Sequence, residues 1–268
     1  MRFFFLLLLL TYSGITFGQN IHTIENDLLQ NFQQIQYWGD HKETDAGDSI
    51  LLANKRFEQK LLQYTSNNPA TISADFAPLD AKGLQIVTSK DKHLRIYSWD
   101  TEMGGTMRFF SNVYQYQSDG KVFSLNPHAN DDKLHAAAAY VAIYTLENQG
   151  KTYYLGVYNA VYSNKDAYQG IKVFAISNNQ LSDSVRLIKT KTGIKNQLSF
   201  AYDFFSVVDR KERPIHLITF DPDTQTISLP VVKPDGTVTE KYIQYKFTGE
   251  YFERVIPGQQ LSPVKTGS

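Results

Sequence analysis

Apolar residues near the start of the chain recur at helical spacing in two segments. In the first, the apolar positions follow one another by four, four, three and three residues, so their side chains share one face of a predicted helix. They are Ile24, Leu28, Phe32, Ile35 and Trp38. A second helical pattern covers residues 50–62, after a polar segment at residues 40–48. Because each helix has an apolar stripe that the pair cannot bury alone, we predict a helical hairpin over residues 19–66, docked on the rest of the chain.

From residue 67 onwards the apolar period changes to about two residues, which is typical of β-strands. Turn sequences such as 118–120 and 234–236 separate the apolar segments, and such short connections favour antiparallel pairing. The predicted strands are 94–99, 106–117, 137–146, 153–162, 171–176, 184–188, 198–205, 215–220, 226–231, 242–247 and 251–255. We predict a mainly β fold over residues 67–256, an antiparallel meander that forms a sandwich, a barrel or a small propeller-like stack.

Two of the predicted strands are apolar or aromatic at almost every position. They are residues 137–146 and 153–162. A strand that faces water on one side alternates polar and apolar residues, whereas a strand covered on both sides does not. We therefore expect other parts of the chain to cover both faces of these two strands.

The first 18 residues have the order of a secretory signal peptide. Met1 and Arg2 precede an apolar run at residues 3–10, and small residues at Thr16 and Gly18 mark a cleavage point after Gly18. The apolar run is much shorter than the roughly 18 residues that a membrane-spanning helix needs. We predict export to the periplasm or the extracellular space, with no transmembrane segment in the mature chain. At the other end, residues 257–268 contain two Pro and two Gly and are predicted to form a flexible tail.

Composition narrows the possible functions. The 268 residues include 27 Lys and Arg against 27 Asp and Glu, so the net charge is formally zero and we expect no nucleic-acid partner. There is no Cys, which excludes disulfides, thiolate zinc sites, cysteine nucleophiles and a lipid-modified cysteine. The 17 Phe and 17 Tyr residues favour pleated, half-buried surfaces.

The connection after the strand at residues 94–99 carries the candidate binding residues. They are Trp99, Asp100, Glu102, Gly104 and Gly105. Two carboxylates beside an indole can hold a sugar or act as an acid and base pair, and the glycines allow a ligand to approach the backbone. The alternative is an ordinary turn, in which Asp100 caps the backbone, the glycines supply the turn geometry and Glu102 points into water.

Other polar clusters are better explained as loops. His128, Asp131, Asp132 and His135 have a spacing that suits a divalent metal, but a polar loop between strands has the same composition. The same holds for residues 40–48, while His93 and His216 are isolated and carry no predicted role. The sequence has no serine-hydrolase, zinc-protease, nucleotide-binding or EF-hand motif. We expect no metal and no cofactor.

Four segments carry a family resemblance. They are residues 47–72, 95–107, 202–232 and 245–255. In these segments the chain resembles a family of exported bacterial proteins of unknown function, which have an N-terminal helical segment and a β-rich remainder. The resemblance implies export and one folded unit, and it transfers no activity, ligand or site residue to this chain.

Two function classes remain open, together with a structural role in the cell envelope that no specific feature favours. The leading hypothesis is a non-catalytic binding or interaction protein of the cell envelope, whose partner is an unknown ligand or envelope component. The alternative is a hydrolase that acts on carbohydrate or another envelope polymer through Asp100 and Glu102. A concave pocket that joins one of these carboxylates to an acid from a distant strand would favour the hydrolase.

Cleavage after Gly18 gives the first testable prediction. We expect the exported chain to begin at Gln19, with that residue cyclised to pyroglutamate, because Thr16 and Gly18 present the small side chains that the signal peptidase requires. Mass spectrometry of the exported protein measures this directly. An exported chain that still carries Met1 would contradict the prediction.

Overall fold

A computed structural model describes residues 20–41, 46–129 and 138–256. The helices are α1 (Ile21–Asp40), α2 (Ala46–Asn67) and α3 (Ala77–Asp80), with single 3-10 turns at Pro69–Ile72 and Phe204–Val207. The strands are β1 (Gln85–Thr88), β2 (Leu94–Asp100), β3 (Phe110–Ser118), β4 (Lys121–Leu125), β5 (Ala139–Asn148), β6 (Lys151–Val161), β7 (Asp166–Ser177), β8 (Gln180–Ser182), β9 (Ile188–Thr190), β10 (Gly193–Lys195), β11 (Gln197–Asp203), β12 (Thr219–Asp221), β13 (Thr226–Val232), β14 (Val238–Phe247) and β15 (Phe252–Arg254). The predicted signal peptide at 1–18 and tail at 257–268 lie outside the described residues.

The strands form three sheets. The first has the order β1-β2-β3-β4, the second β11-β7-β6-β5 with β8 added beside β7, and the third β10-β9-β15-β14-β13-β12. All pairs are antiparallel except β15 with β9. The mainly β class and the N-terminal helical pair are therefore confirmed. Within the described ranges no sheet closes into a barrel, and no helix there has the length and apolar content needed to cross a membrane.

The helices and sheets stack in layers. Helices α1 and α2 cover one face of the first sheet through Leu28, Phe32, Phe57 and Leu61, which are buried against β2 and β3. The other face of the first sheet packs on the second sheet. The second sheet in turn packs on the third. Strands β5 and β6 belong to this middle sheet, so their almost continuous apolar sequence follows from cover on both faces.

Three predicted strands begin four residues later in the structure than the sequence indicates. The strand predicted at 106–117 begins at Phe110, because residues 101–109 form an irregular connection in which the backbone N–H of Thr101 donates to the carbonyl of Phe109. Of residues 184–188, only Ile188 is in a strand. In the predicted strand 215–220, strand pairing starts at Thr219. Before it, the Gln169 side chain donates to the carbonyl of Ile215 and accepts from the backbone N–H groups of Leu217 and Ile218.

Buried polar side chains join the helices to the first sheet. The Asn54 side chain on α2 accepts from the indole N–H of Trp99 at 3.0 Å and donates to the carbonyl of Thr101 at 2.9 Å. On β3, the Gln115 amide donates to the carbonyl of Thr65 at 2.8 Å, at the end of α2. Because a buried polar group without a partner is costly, these bonds fix the position of α2 on the sheet more tightly than apolar contact alone.

We expect Asn54→Leu to lower the free energy of unfolding by about 2–4 kcal/mol, since it leaves the Trp99 N–H and the Thr101 carbonyl without partners. Chemical denaturation followed by tryptophan fluorescence measures the change. The matched control is Gln59→Leu on the exposed side of α2, for which we expect a change below about 0.5 kcal/mol. Equal effects of the two substitutions would show that the polar contacts do not anchor the helix.

Candidate functional site

The segment that the sequence singles out lies at one end of the first sheet. Residues 101–109 connect β2 to β3, whereas residues 89–93 connect β1 to β2. Successive antiparallel strands run in opposite directions, so these two connections lie at opposite ends of the sheet. The length of β2 thus separates the candidate residues at 99–105 from the β1–β2 turn.

Trp99 is a core residue. Its side chain is 1% exposed, and its indole meets the Phe57 ring edge-on with 5.1 Å between centroids. The indole N–H is bonded to Asn54. Since the ring lies between β2 and α2, its face does not meet solvent as a sugar-binding platform would.

Asp100 and Glu102 share one cation. The Arg108 guanidinium lies 3.1 Å from Asp100 Oδ2 and 3.3 Å from Glu102 Oε2, and all three side chains are partly exposed. Asp100 Oδ1 also accepts the backbone N–H of Glu102 at 2.9 Å, as expected of a turn-capping aspartate. Burial, and next the Asp100 carboxylate, raises the pKa of Glu102, while Arg108 opposes the shift.

The glycines of this connection have different surroundings. A Cβ on Gly104 would lie 2.1 Å from the carbonyl oxygen of Met107, so only glycine fits there without a shift of the backbone. Gly105 has open space around it and is exposed. Packing and turn geometry thus account for Trp99, Asp100 and Gly104, and ligand binding at this segment stays a prediction.

The other polar clusters of the sequence lie partly outside the described residues. His128 follows β4, and its backbone N–H donates to the Asn126 side chain at 2.7 Å. Asp131, Asp132 and His135 are not described, and neither are residues 42–45. Across the described ranges, no three His, Asp or Glu side chains lie close enough together to hold a metal ion.

A cleft of about 670 Å³ lies at the opposite end of the first two sheets. It is formed where the β1–β2 and β5–β6 turns meet the ends of β3 and β7. Its lining consists of Asp91, His93, Gln117, Ser118, Glu147, Gly150, Lys151, Thr152, Tyr153, Tyr154, Ala175, Ile176 and Ser177. We call this cavity the turn-end cleft. Its volume is in the range of small-molecule sites.

Asp91 is the hydrogen-bonding centre of the turn-end cleft. Its Oδ1 accepts from the Ser89 hydroxyl and the backbone N–H of His93, and its Oδ2 accepts from the Tyr154 hydroxyl at 2.8 Å. Burial acts to raise the pKa of the Asp91 carboxyl, but the hydrogen bonds from Ser89, His93 and Tyr154 outweigh it, so the pKa is lowered. Because Tyr154 belongs to β6, this aspartate ties the second sheet to the first.

His93 is held by the same carboxylate. Its Nδ1 lies 3.2 Å from Asp91 Oδ2, and its side chain is about half exposed in the cleft. A neutral histidine that donates from Nδ1 to a carboxylate keeps a lone pair on Nε2 as an acceptor. The sequence pattern indicated no role for His93, which was predicted to be isolated, although an aspartate two residues earlier and a serine four residues earlier in the same turn were the available signal.

Several polar side chains around the cleft have no partner in the described part of the chain. Gln117, Ser118, Glu147, Lys151 and Ser177 line the cavity, yet their side chains make no hydrogen bond or ion pair with described residues. Asp91, by contrast, has both carboxylate oxygens engaged. The cleft thus combines a carboxylate, Asp91, that is fixed by hydrogen bonds with a rim of donors and acceptors that are open to a ligand.

Comparison with known proteins finds no match for this chain among protein-family models, curated proteins or solved structures. The family resemblance carried by residues 47–72, 95–107, 202–232 and 245–255 stays a prediction.

We expect Asp91→Asn to destabilise the protein near neutral pH and to make little difference in acid. A carboxyl whose pKa is lowered by folding stabilises the fold above its unfolded pKa of about 3.9, and that stabilisation is lost as the pH falls through the folded value. Unfolding free energies of both forms, measured from about pH 7 to about pH 3, should therefore converge below about pH 4.

The control is Asp209→Asn, an exposed aspartate whose side chain accepts no hydrogen bond from the described residues. A difference between wild type and Asp91→Asn that stays constant over the whole pH range would mean that the charge of Asp91 does not stabilise the fold.

Proposed function

We propose that this chain is an exported, non-catalytic binding protein of the cell envelope, and that a small polar ligand occupies the turn-end cleft. The observation that carries the proposal is the set of polar residues from both sheets that line the cleft and whose side chains have no partner in the described residues. Such groups give a ligand directional hydrogen bonds, while Tyr153 and Ile176 supply apolar area.

The state of Asp91 favours binding over carboxylate catalysis in this cleft. A general acid needs a carboxyl that keeps its proton near neutral pH, usually through a raised pKa. The pKa of Asp91 is lowered, and both of its oxygens already accept hydrogen bonds from the protein. Asp91 therefore acts as a structural anion that orients His93 and Tyr154.

The hydrolase alternative has one observation in its favour. Burial, and next the Asp100 carboxylate, raises the pKa of Glu102, and a carboxyl with a raised pKa is the usual general acid of glycoside hydrolysis. The Arg108 guanidinium already contacts both carboxylates, so each of them has a partner within the connection itself. Neither carboxylate lines the turn-end cleft. Binding without turnover is thus the better supported function.

Export and an envelope location rest on the sequence. The apolar run at residues 3–10, followed by small residues up to Gly18, supports secretion of the mature chain. The equal numbers of acidic and basic residues favour a small polar ligand over a polyanion.

Blocking the cleft tests the proposal. Ser177 is exposed on the cleft wall, so we expect Ser177→Trp to fill the cavity and weaken binding at least ~10-fold, or about 1.4 kcal/mol. Wild type and variant are screened by ligand-observed NMR against free amino acids, short peptides, mono- and disaccharides and cell-wall glycopeptide fragments. The matched control is Thr219→Trp on the exposed edge strand β12, which should bind as wild type does.

Two outcomes would contradict the proposal. One is a panel compound that binds wild type and Ser177→Trp equally well. The other is conversion of a bound compound to products, detected by mass spectrometry, at a rate that Glu102→Gln lowers while stability is unchanged, which would favour the hydrolase.

A further inference from the structure

Glu147 lies on the face of the second sheet that is turned toward the first sheet. Tyr154 marks this face, because its hydroxyl donates to Asp91 and its ring packs in the core shared by the two sheets. In the β5–β6 ladder Thr145 is opposite Tyr154, and Glu147 is opposite Thr152. Every second residue of a strand points to the same face, so Glu147 and Thr152 share the face of Tyr154. The Glu147 carboxylate therefore belongs to the part of the turn-end cleft that lies between the two sheets.

The one lysine among the residues that line the cleft belongs to the opposite face. Lys151 is opposite Asn148 at the end of the same ladder and shares its face with Tyr153, which packs toward the third sheet. Neither Lys151 nor any other described residue makes an ion pair with Glu147. The exposed lysines of the two neighbouring turns do not line the cleft; they are Lys90, Lys92 and Lys121.

The two carboxylates on the inner side of the cleft therefore set its charge. Burial, and next the Asp91 carboxylate to which its hydroxyl donates, raises the pKa of Tyr154, and the charge of Glu147 adds to the shift. Both carboxylates thus act on the same point of the cleft. Asp91 already accepts hydrogen bonds at both oxygens, whereas the Glu147 carboxylate has no partner in the described residues. This side of the cleft repels an anion and offers one free carboxylate to a cation.

We propose that the ligand of the turn-end cleft is a small organic cation whose primary ammonium group binds Glu147. This assignment rests on the proposed function of the cleft. An ammonium group has three N–H donors, and the Glu147 carboxylate and the Thr152 hydroxyl beside it are acceptors on the same face. Because the ammonium is charged, its hydrogen bond to a carboxylate is stronger than that of a neutral donor.

The rest of the cleft indicates a polar body attached to the ammonium group. The volume of about 670 Å³ is far larger than an ammonium group needs. Ser118, on the same side of β3 as Tyr116, offers a hydroxyl from the first sheet, and neutral His93 presents an Nε2 acceptor. Ile176 adds apolar area on the second sheet. Both an amino sugar and an amino-acid amide have this chemistry, and the experiment separates the two.

The test compares ammonium compounds with their neutral analogues on the full exported chain, with affinities measured by NMR titration. One series is glucosamine, glucose and N-acetylglucosamine, and the other is alaninamide and lactamide, all at about pH 7, where the amines are mostly protonated. In the series that fits the cleft, we expect the ammonium compound to bind wild type about three- to tenfold more tightly than its neutral analogues, because it adds one charge-assisted contact.

Glu147→Gln should abolish this preference, because it removes the charge and keeps a polar side chain of the same size. The matched control is Glu240→Gln, which is exposed on β14 of the third sheet and should leave the preference unchanged.

Each other result overturns a defined part of the account. If the neutral analogues bind wild type as tightly as the ammonium compounds, or if Glu147→Gln keeps the preference as the control does, the charge assignment is wrong. If a neutral or anionic compound binds in a Ser177→Trp-sensitive manner and no ammonium compound does, the cleft is a binding site but its ligand is not a cation. If no compound binds in a Ser177→Trp-sensitive manner, the proposed function fails together with this inference.

Discussion

The first sheet is covered on both faces, and the rest of the structure depends on that constraint. Every residue of β2 from Leu94 to Trp99 is buried, with the helices on one side and the second sheet on the other. Polar side chains in such a layer must find partners inside the protein. Ser98 illustrates this on the second-sheet side, where its hydroxyl accepts the backbone N–H of Tyr140. On the helix side Asn54 and Gln115 make the corresponding bonds.

The same contact between sheets creates the cleft. Where the first two sheets end, the turns of both extend past the shared core of Leu94, Tyr116, Tyr154 and Phe174. The Tyr154 hydroxyl reaches across to Asp91 and fixes the distance between the two sets of turns. A cavity at this place is therefore a consequence of the layer packing, and its polar lining comes from the β1–β2 turn and from the ends of β3, β5, β6 and β7.

The sequence predicts where most helices and strands lie, but not which face of the sheet each side chain occupies. Periodicity predicts the two helices and most strands, because those signals are local. Periodicity could not predict the face on which Trp99 lies, because a strand buried on both sides has no polar alternation to show which residues meet the helices. Trp99 shares its side with Tyr97 and points toward α2. The turn-end cleft was also missed, because Asp91, Glu147 and Ser177 are distant in sequence and meet only through sheet packing.

The central claim is that binding occurs at the turn-end cleft and not at the connection after β2. Amide chemical shifts recorded by NMR during titration with the panel compound that binds wild type most tightly test it most directly. The account predicts that the largest changes fall at residues 91–93, 117–118 and 147–151. Changes centred on residues 99–106, with the cleft unaffected, would contradict it.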